Sequence, residues 1–139
     1  MRFCKKAMLF TLGGGLYVLL ELLWRGRSHI TMFLAGGFCF LLICQVEERL
    51  SGCPILLRAG VGAGMITTVE LLTGLLFNRD YSIWDYRDIP GNIAGQICPV
   101  YSLLWVLAAL AAGQLYRRIQ KLWLSPAIGK AAAPKENLR

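Results

Sequence analysis

The sequence predicts an all-α membrane protein, a bundle of four transmembrane helices with both termini cytoplasmic, and three observations carry that expectation. Of its 139 residues 56% are hydrophobic, and they come in blocks rather than in amphipathic alternation. The blocks form four apolar runs, 8–24, 30–46, 59–77 and 97–116, each within the roughly 17–25 helical residues that span a bilayer core. Lys and Arg are also unevenly placed. Eleven of the fifteen (Arg2, Lys5, Lys6, Arg49, Arg58, Arg117, Arg118, Lys121, Lys130, Lys135, Arg139) flank one side of the runs, and only Arg25, Arg27, Arg79 and Arg87 flank the other. The positive-inside rule puts the richer side, and with it both termini, in the cytoplasm. The net charge of +7 therefore marks topology and anionic membrane lipids as partners, not nucleic acid.

The first run follows Arg2, Lys5 and Lys6 as a signal peptide would. It nevertheless contains Glu21 and ends in Trp24-Arg25-Gly26-Arg27 without a small-residue cleavage pattern, so it reads as a retained helix. The second run, after the short outer loop 25–29, is interrupted by Ala35-Gly36-Gly37; an inner loop, 47–58, carries Glu47-Glu48-Arg49 as a solvated segment or a contact for a partner ATPase. Gly60 and Gly64 in the third run form a G-x-x-x-G, expected to serve packing within the bundle rather than a dimer face. Loop 78–96 is the one connection long enough for a structure of its own. The fourth run is followed by a basic interfacial turn with Trp123, so the transmembrane domain is set at 1–124 and a basic, disordered cytoplasmic tail at 125–139. Leu20-Glu21-Leu22-Leu23 and Val69-Glu70-Leu71-Leu72 are echoes of a two-fold helix-pair repeat. The five cysteines show no C-x-x-C pairing and read as small packing residues, with no outer disulfide.

Glu21 and Glu70 are the first candidates for chemistry, because an ionisable group inside a span costs about 2.5–3.5 kcal/mol even on mild insertion scales. Helical spacing places Thr67 and Thr73 on the face of Glu70, a polar stripe suited to a substrate or ion pathway, the alternative being a protonated, hydrogen-bonded core residue, and Arg25 four residues after Glu21, the favourable order for a structural ion pair at the interface. The segment IWDYRDIPGNIAGQICP is the second candidate. Tyr81, Trp84 and Tyr86 suit headgroup depth. Pro90-Gly91 suits a tight turn, and Asn92 is a good N-cap for the fourth helix. Such a cap would turn free N–H groups toward Asp85 and Asp88 and could hold an anionic group. His29 and Arg25, in the other outer loop, are expected on the same side.

Trp84-Asp85-Tyr86, Ile89-Pro90, Asn92-Ile93, Gly95 and Ile97-Cys98, followed by Ser102-Leu103-Leu104-Trp105, resemble the signature of a bacterial family called putative ABC-transporter type IV, or CmpB-like. Its pattern is similar to W-D-Y-S-x-x-P-x-N-x-x-G-x-I-C before an apolar helix with a tryptophan, and Glu70 with Thr73-Gly74 also fits. Arg87 stands where a serine is usual and Gly91 where the family often has a large apolar residue. The resemblance implies a multi-pass protein of the bacterial cytoplasmic membrane and a permease-like transport component. The chain has no G-x-x-x-x-G-K-[ST] to cradle a nucleotide phosphate, so a permease would need a homo-oligomer, a separate ATPase or another membrane subunit. The alternative is a non-transporting scaffold or lipid-binding protein, with Trp84 anchored in lipid and Asp85 paired to Arg25 or Arg87. An intramembrane enzyme using His29 with Asp85 or Glu70 has neither a recognised nucleophile nor metal-ligand spacing, and neither cofactor nor metal is expected.

Overall fold

The computed structural model describes residues 3–124, leaving the proposed tail 125–139 outside the described residues. Four helices follow one another, α1 (Phe3–Arg25), α2 (Ile30–Arg49), α3 (Ile55–Phe77) and α4 (Pro99–Leu124), all long and apolar enough to cross a membrane. Among the described residues there is no strand, only an isolated antiparallel bridge between Ile93 and Ile97.

Every helix is longer than its apolar run. Hydropathy marks the hydrocarbon slab, whereas backbone hydrogen bonding continues through polar termini until a breaker or a cap stops it. Pro54 stands at the N-cap of α3, and Asn78 ends that helix with its N–H on the Gly74 carbonyl at 2.9 Å. The fourth helix begins at Pro99, a residue suited to the first helical position, where its missing N–H costs nothing. It continues beyond residue 116 through Arg117, Arg118, Lys121 and Trp123, so the interfacial turn expected there is helical. At about 1.5 Å per residue α4 is roughly 39 Å long, more than a bilayer core of about 30 Å requires.

α2 is the central helix. Eleven of its twenty residues are buried, against three of the twenty-three in α1, and α2 packs against all three others while α1 packs closely on α2 alone. The α1–α2 crossing is tight because both helices present glycine: a Cβ on Gly36 would lie 2.5 Å from the Tyr17 Cβ. Three apolar clusters stack along the bundle. Leu9, Phe40, Cys44 and Tyr116 occupy one end, Cys39, Ile43, Ile66 and Ala109 the middle, and Met32, Ile83 and Trp84 the end closed by the long loop. Cys39, Cys44 and Cys98 are buried packing residues, while Cys4 is exposed and Cys53 half-buried.

Two expectations are corrected here. Gly60 and Gly64 do not pack within the bundle: both are exposed, and nothing lies within 4 Å of where their Cβ atoms would be. A four-residue spacing puts them on one face, and α3 turns another, formed by Ala59, Gly62, Ala63 and Ile66, toward its neighbours. Glu47 and Glu48 belong to α2 rather than to a solvated loop. The buried Glu47 carboxylate is bonded by Arg58 of α3 at 2.6 Å and by Arg117 of α4, and Glu48 accepts the Tyr116 hydroxyl. An ionic network therefore joins three helices at this end, which leaves Glu47 unavailable to a partner subunit.

Candidate functional site

The loop between α3 and α4 folds into a cap over one end of the bundle, built on Asn78, Trp84 and Gln96. Asn78 is fully buried. Its Nδ2 donates to the Trp84 carbonyl at 2.6 Å and to Gln96 Oε1 at 2.9 Å, and its Oδ1 accepts from the Ile83 N–H at 2.9 Å. Gln96 returns a bond from Nε2 to the Asn78 carbonyl at 3.0 Å, and the Trp84 indole donates to the Gln96 carbonyl at 2.9 Å. Buried amides that satisfy each other in this way fix one arrangement, since any alternative strands a polar group away from water. Gly74 makes room for the network, because a side chain there would collide with Gln96. Sequence reasoning missed Asn78 and Gln96 as holding residues, although they are the first and last residues of the expected loop; an amide at each end of a membrane-surface loop was the available signal.

Beneath the cap lies Glu70, buried in α3. Its Oε1 accepts the Tyr86 hydroxyl from the cap at 3.0 Å, and its Oε2 accepts the Trp105 indole N–H from α4 at 2.8 Å. Burial and the adjacent Glu70 hold the Tyr86 phenol protonated, above its ordinary range, as its donor role requires. Among the described residues no Lys, Arg or His nitrogen comes within 4.0 Å of Glu70. The carboxylate is thus held by two neutral donors without a counter-charge.

Glu70 forms part of the wall of a cavity of about 370 Å³, with Tyr17, Trp24, Trp84, Tyr86, Tyr101 and Trp105 as its aromatic lining and Leu20, Leu23, Met32 and Leu104 as its aliphatic lining. Tyr86 and Tyr101 stack with centroids 4.8 Å apart, and Tyr17 lies 6.1 Å from Trp105. Glu21 and Arg25 border the same cavity as the expected i,i+4 ion pair at 2.6 Å. Ser28 donates to the second Glu21 oxygen at 2.9 Å, and Arg25 also reaches the Ile83 carbonyl at 2.6 Å, tying α1 to the cap. The open side runs between α1 and α4, where Leu20, Leu23, Trp24 and Leu104 are exposed.

Other sequence candidates lie elsewhere. Thr67 donates to Ser102 at 3.3 Å across the α3–α4 seam, and neither Thr67 nor Thr73 lines the cavity. Asp85 is exposed and turns to Arg87, whose Nη2 lies 2.7 Å from it, so of the two suggested partners it takes Arg87 and not Arg25. The guanidinium holds the Asp85 carboxyl below its ordinary range. Arg87 also lies over the Tyr81 ring at 4.2 Å. His29 caps α2, its Nδ1 accepting from the Thr31 N–H at 3.2 Å, a local role that occupies this nitrogen.

Asn92 does not cap the fourth helix, which starts seven residues later. It organises the cap from within, donating to the carbonyls of Arg87 (3.1 Å) and Ile89 (2.9 Å) and accepting from the Gly95 N–H at 2.9 Å. A good N-cap residue is also a good turn residue, and Pro99 sets the true helix start. The anion site expected at that helix end is accordingly not formed by Asn92 and Asp85. Pro90-Gly91 makes the expected turn, with Gly91 at φ 76° and the Asn92 N–H on the Ile89 carbonyl at 3.3 Å. Gly95, at φ 64°, is wedged where a Cβ would meet the Arg87 Cγ at 2.6 Å, so the motif glycine answers both to dihedral and to space. Trp84 is buried, not lipid-anchored, whereas Trp24 is 80% exposed.

Among the described residues no group of three or more His, Cys, Asp or Glu is arranged to hold a metal ion. Comparison with curated proteins and with solved structures returns no significant match. The family model described as Putative ABC-transporter type IV does match, over residues 10–131, which takes in all of α2, α3, the cap and α4 and most of α1. On that match over most of its length, the chain belongs to the putative ABC-transporter type IV family.

Proposed function

We propose that this chain is a multi-pass, permease-like subunit of a transport system in the bacterial cytoplasmic membrane, with Glu70 at an intramembrane ligand site and the Trp84–Asp85–Tyr86 cap closing its outer-face end. The observation that carries this reading is the buried Glu70 carboxylate, bonded by Tyr86 of the cap and Trp105 of α4 at the wall of an aromatic cavity. An intramembrane acid facing a cavity marks a substrate or ion path more often than a packing site. Glu21 and Arg25 stand at the mouth as a neutral pair, and Thr67 lies on the seam behind. Both termini face the cytoplasm, residues 1–124 form the transmembrane domain, and the tail 125–139 is its basic extension.

Since the sequence contains no nucleotide-phosphate loop, an ATP-driven cycle requires a separate ATPase subunit, and a homo-oligomer or second membrane subunit would complete the path. Native mass spectrometry of the chain, tagged and released gently from its own membrane, tests this. An ATPase or membrane subunit at fixed stoichiometry is expected; a lone chain or homo-oligomer that carries only lipids overturns the reading of an ATP-driven permease subunit.

One observation favours the second reading, a scaffold or lipid-binding protein. The cap's buried amides bond to one another and its exposed Asp85 pairs with Arg87. In that case Asp85→Arg combined with Arg87→Asp restores any folding defect of the single variants, and the native complex contains defined lipids alone.

A further inference from the structure

We infer that the cavity beside Glu70 takes a lipophilic organic cation, an ammonium- or phosphonium-type centre held among tyrosine and tryptophan rings with Glu70 as counter-ion. The inference rests on the reading of Glu70 as a ligand site and names the ligand's chemical class.

The first argument is the choice of rings. Three of the chain's four tryptophans and three of its five tyrosines line the cavity, and none of its six phenylalanines does. Tyr and Trp are common at membrane interfaces, which accounts for Trp24 near the end of α1. It does not account for Tyr17 or Trp105. Tyr17 lies eight residues inward of Arg25 and Trp105 six inward of Pro99, about 12 Å and 9 Å at helical rise, level with Glu70 at about 10 Å from the end of α3. Tyrosine and tryptophan rings gathered at that depth beside a carboxyl group are the residue types that bind quaternary ammonium groups.

The second argument is charge. Glu21 is balanced by Arg25 at 2.6 Å, which leaves Glu70 as the one uncompensated acid of the lining. Its two bonds come from neutral donors, and each oxygen retains acceptor capacity. A carboxyl buried without a counter-charge is disfavoured in its ionised form, so a monovalent cation seated beside Glu70 would gain the interaction that its two neutral donors do not supply. An anion would meet the Glu70 carboxylate with no unpaired positive charge beside it, because Arg25, the single Lys or Arg of the lining, is paired with Glu21 and bonded to the Ile83 carbonyl. A small hard cation takes about six or more oxygen ligands, whereas the lining is mostly leucine and aromatic carbon, with Glu21 already paired to Arg25.

The third argument is shape. The cavity shares Tyr17, Leu20, Leu23 and Trp105 with a second cavity of about 310 Å³ that runs on between α1, α2 and α4. The lining of this extension is almost wholly apolar, so the cationic centre would carry a hydrophobic body lying along the α1–α4 groove, with access from the lipid side.

The test uses a pair of ions matched in shape and opposite in charge, tetraphenylphosphonium and tetraphenylborate, on the full chain in lipid nanodiscs with empty discs subtracted. Saturable phosphonium binding at least tenfold tighter than borate binding is expected, weakened at least tenfold by Glu70→Gln. Should that variant fail to fold, Tyr101→Leu removes the ring stacked on Tyr86 without touching the Glu70 bonds, and must weaken phosphonium several-fold. Equal binding of the two ions, or unchanged phosphonium affinity in folded Glu70→Gln, overturns the assignment. Absence of saturable phosphonium binding in a complex that keeps its ATPase subunit overturns the cation assignment and leaves the transport reading standing. Saturable, Glu70-dependent binding by a chain without partner subunits supports the assignment and overturns only the reading of an ATP-driven permease subunit.

Discussion

Asn78→Ala tests how the cap is held. The substitution removes the bonds to the Trp84 carbonyl (2.6 Å), Gln96 Oε1 (2.9 Å) and the Ile83 N–H (2.9 Å), together with a longer one to the Trp84 N–H. Three well-formed partners lose their bond in a place with no exposed surface. At about 1–3 kcal/mol for each buried group left unsatisfied the ceiling is near 9 kcal/mol, and water entering the vacated space restores part of it. A loss of about 3–5 kcal/mol is therefore expected, confined to opening of the cap. Since about 1.4 kcal/mol is a tenfold change, hydrogen exchange in a lipid bilayer should show the Tyr86 amide, bonded to the Gly95 carbonyl at 3.0 Å, exchanging a hundredfold faster or more. Asn92→Ala is the internal comparison. Its bonds lie on the half-buried side of the same cap, where solvent substitutes, and should cost about 1 kcal/mol. If Asn78→Ala costs no more than Asn92→Ala, the amides are hydrated in the membrane and the cap is held by something else.

Three further outcomes are expected. Glu47→Ala leaves Arg58 and Arg117 without their shared carboxylate and should destabilise the bundle by about 3–5 kcal/mol in a reversible detergent-unfolding titration; a change below about 1 kcal/mol would mean that the network contributes nothing. Ala94 sits at φ 53°, so Ala94→Gly should relieve a left-handed penalty of about 1–2 kcal/mol against roughly 0.4–1 kcal/mol of added unfolded-chain entropy. A small net gain in cap protection follows, and a loss would contradict the backbone assignment. For Asp85 the folded value is depressed by Arg87, so the pair supports cap order above the unfolded carboxyl value near 3.9 and is lost as pH falls through the lower folded value. An NMR titration of its carboxyl carbon should therefore give a midpoint below about 3.9, moving upward in Arg87→Gln.

Much of the architecture was legible because lipid acts on residues one at a time. A run of apolar residues either matches the slab or does not, so the four spans, the turn at Pro90-Gly91 and the Glu21–Arg25 pair follow from spacing along the chain, whereas the stripe of Thr67 and Thr73 expected beside Glu70 does not line its cavity. The family signature in residues 84–98 was legible for the same reason, being a contiguous motif. The helix ends were not, because capping is set by where the backbone can turn, and Asn92 is chemically as suited to a turn as to a cap.

What only the tertiary structure decided is which faces meet. A helix that is apolar all round carries little information about its inward side, so nothing along the chain singled out α2 as central or placed Gly60 and Gly64 outward. The same holds for partners distant in sequence: Asn78 with Gln96, Glu70 with Trp105, Glu47 with Arg117. Each residue alone announces a polar group needing satisfaction at the membrane; which group answers depends on the packing that brings two helices side by side.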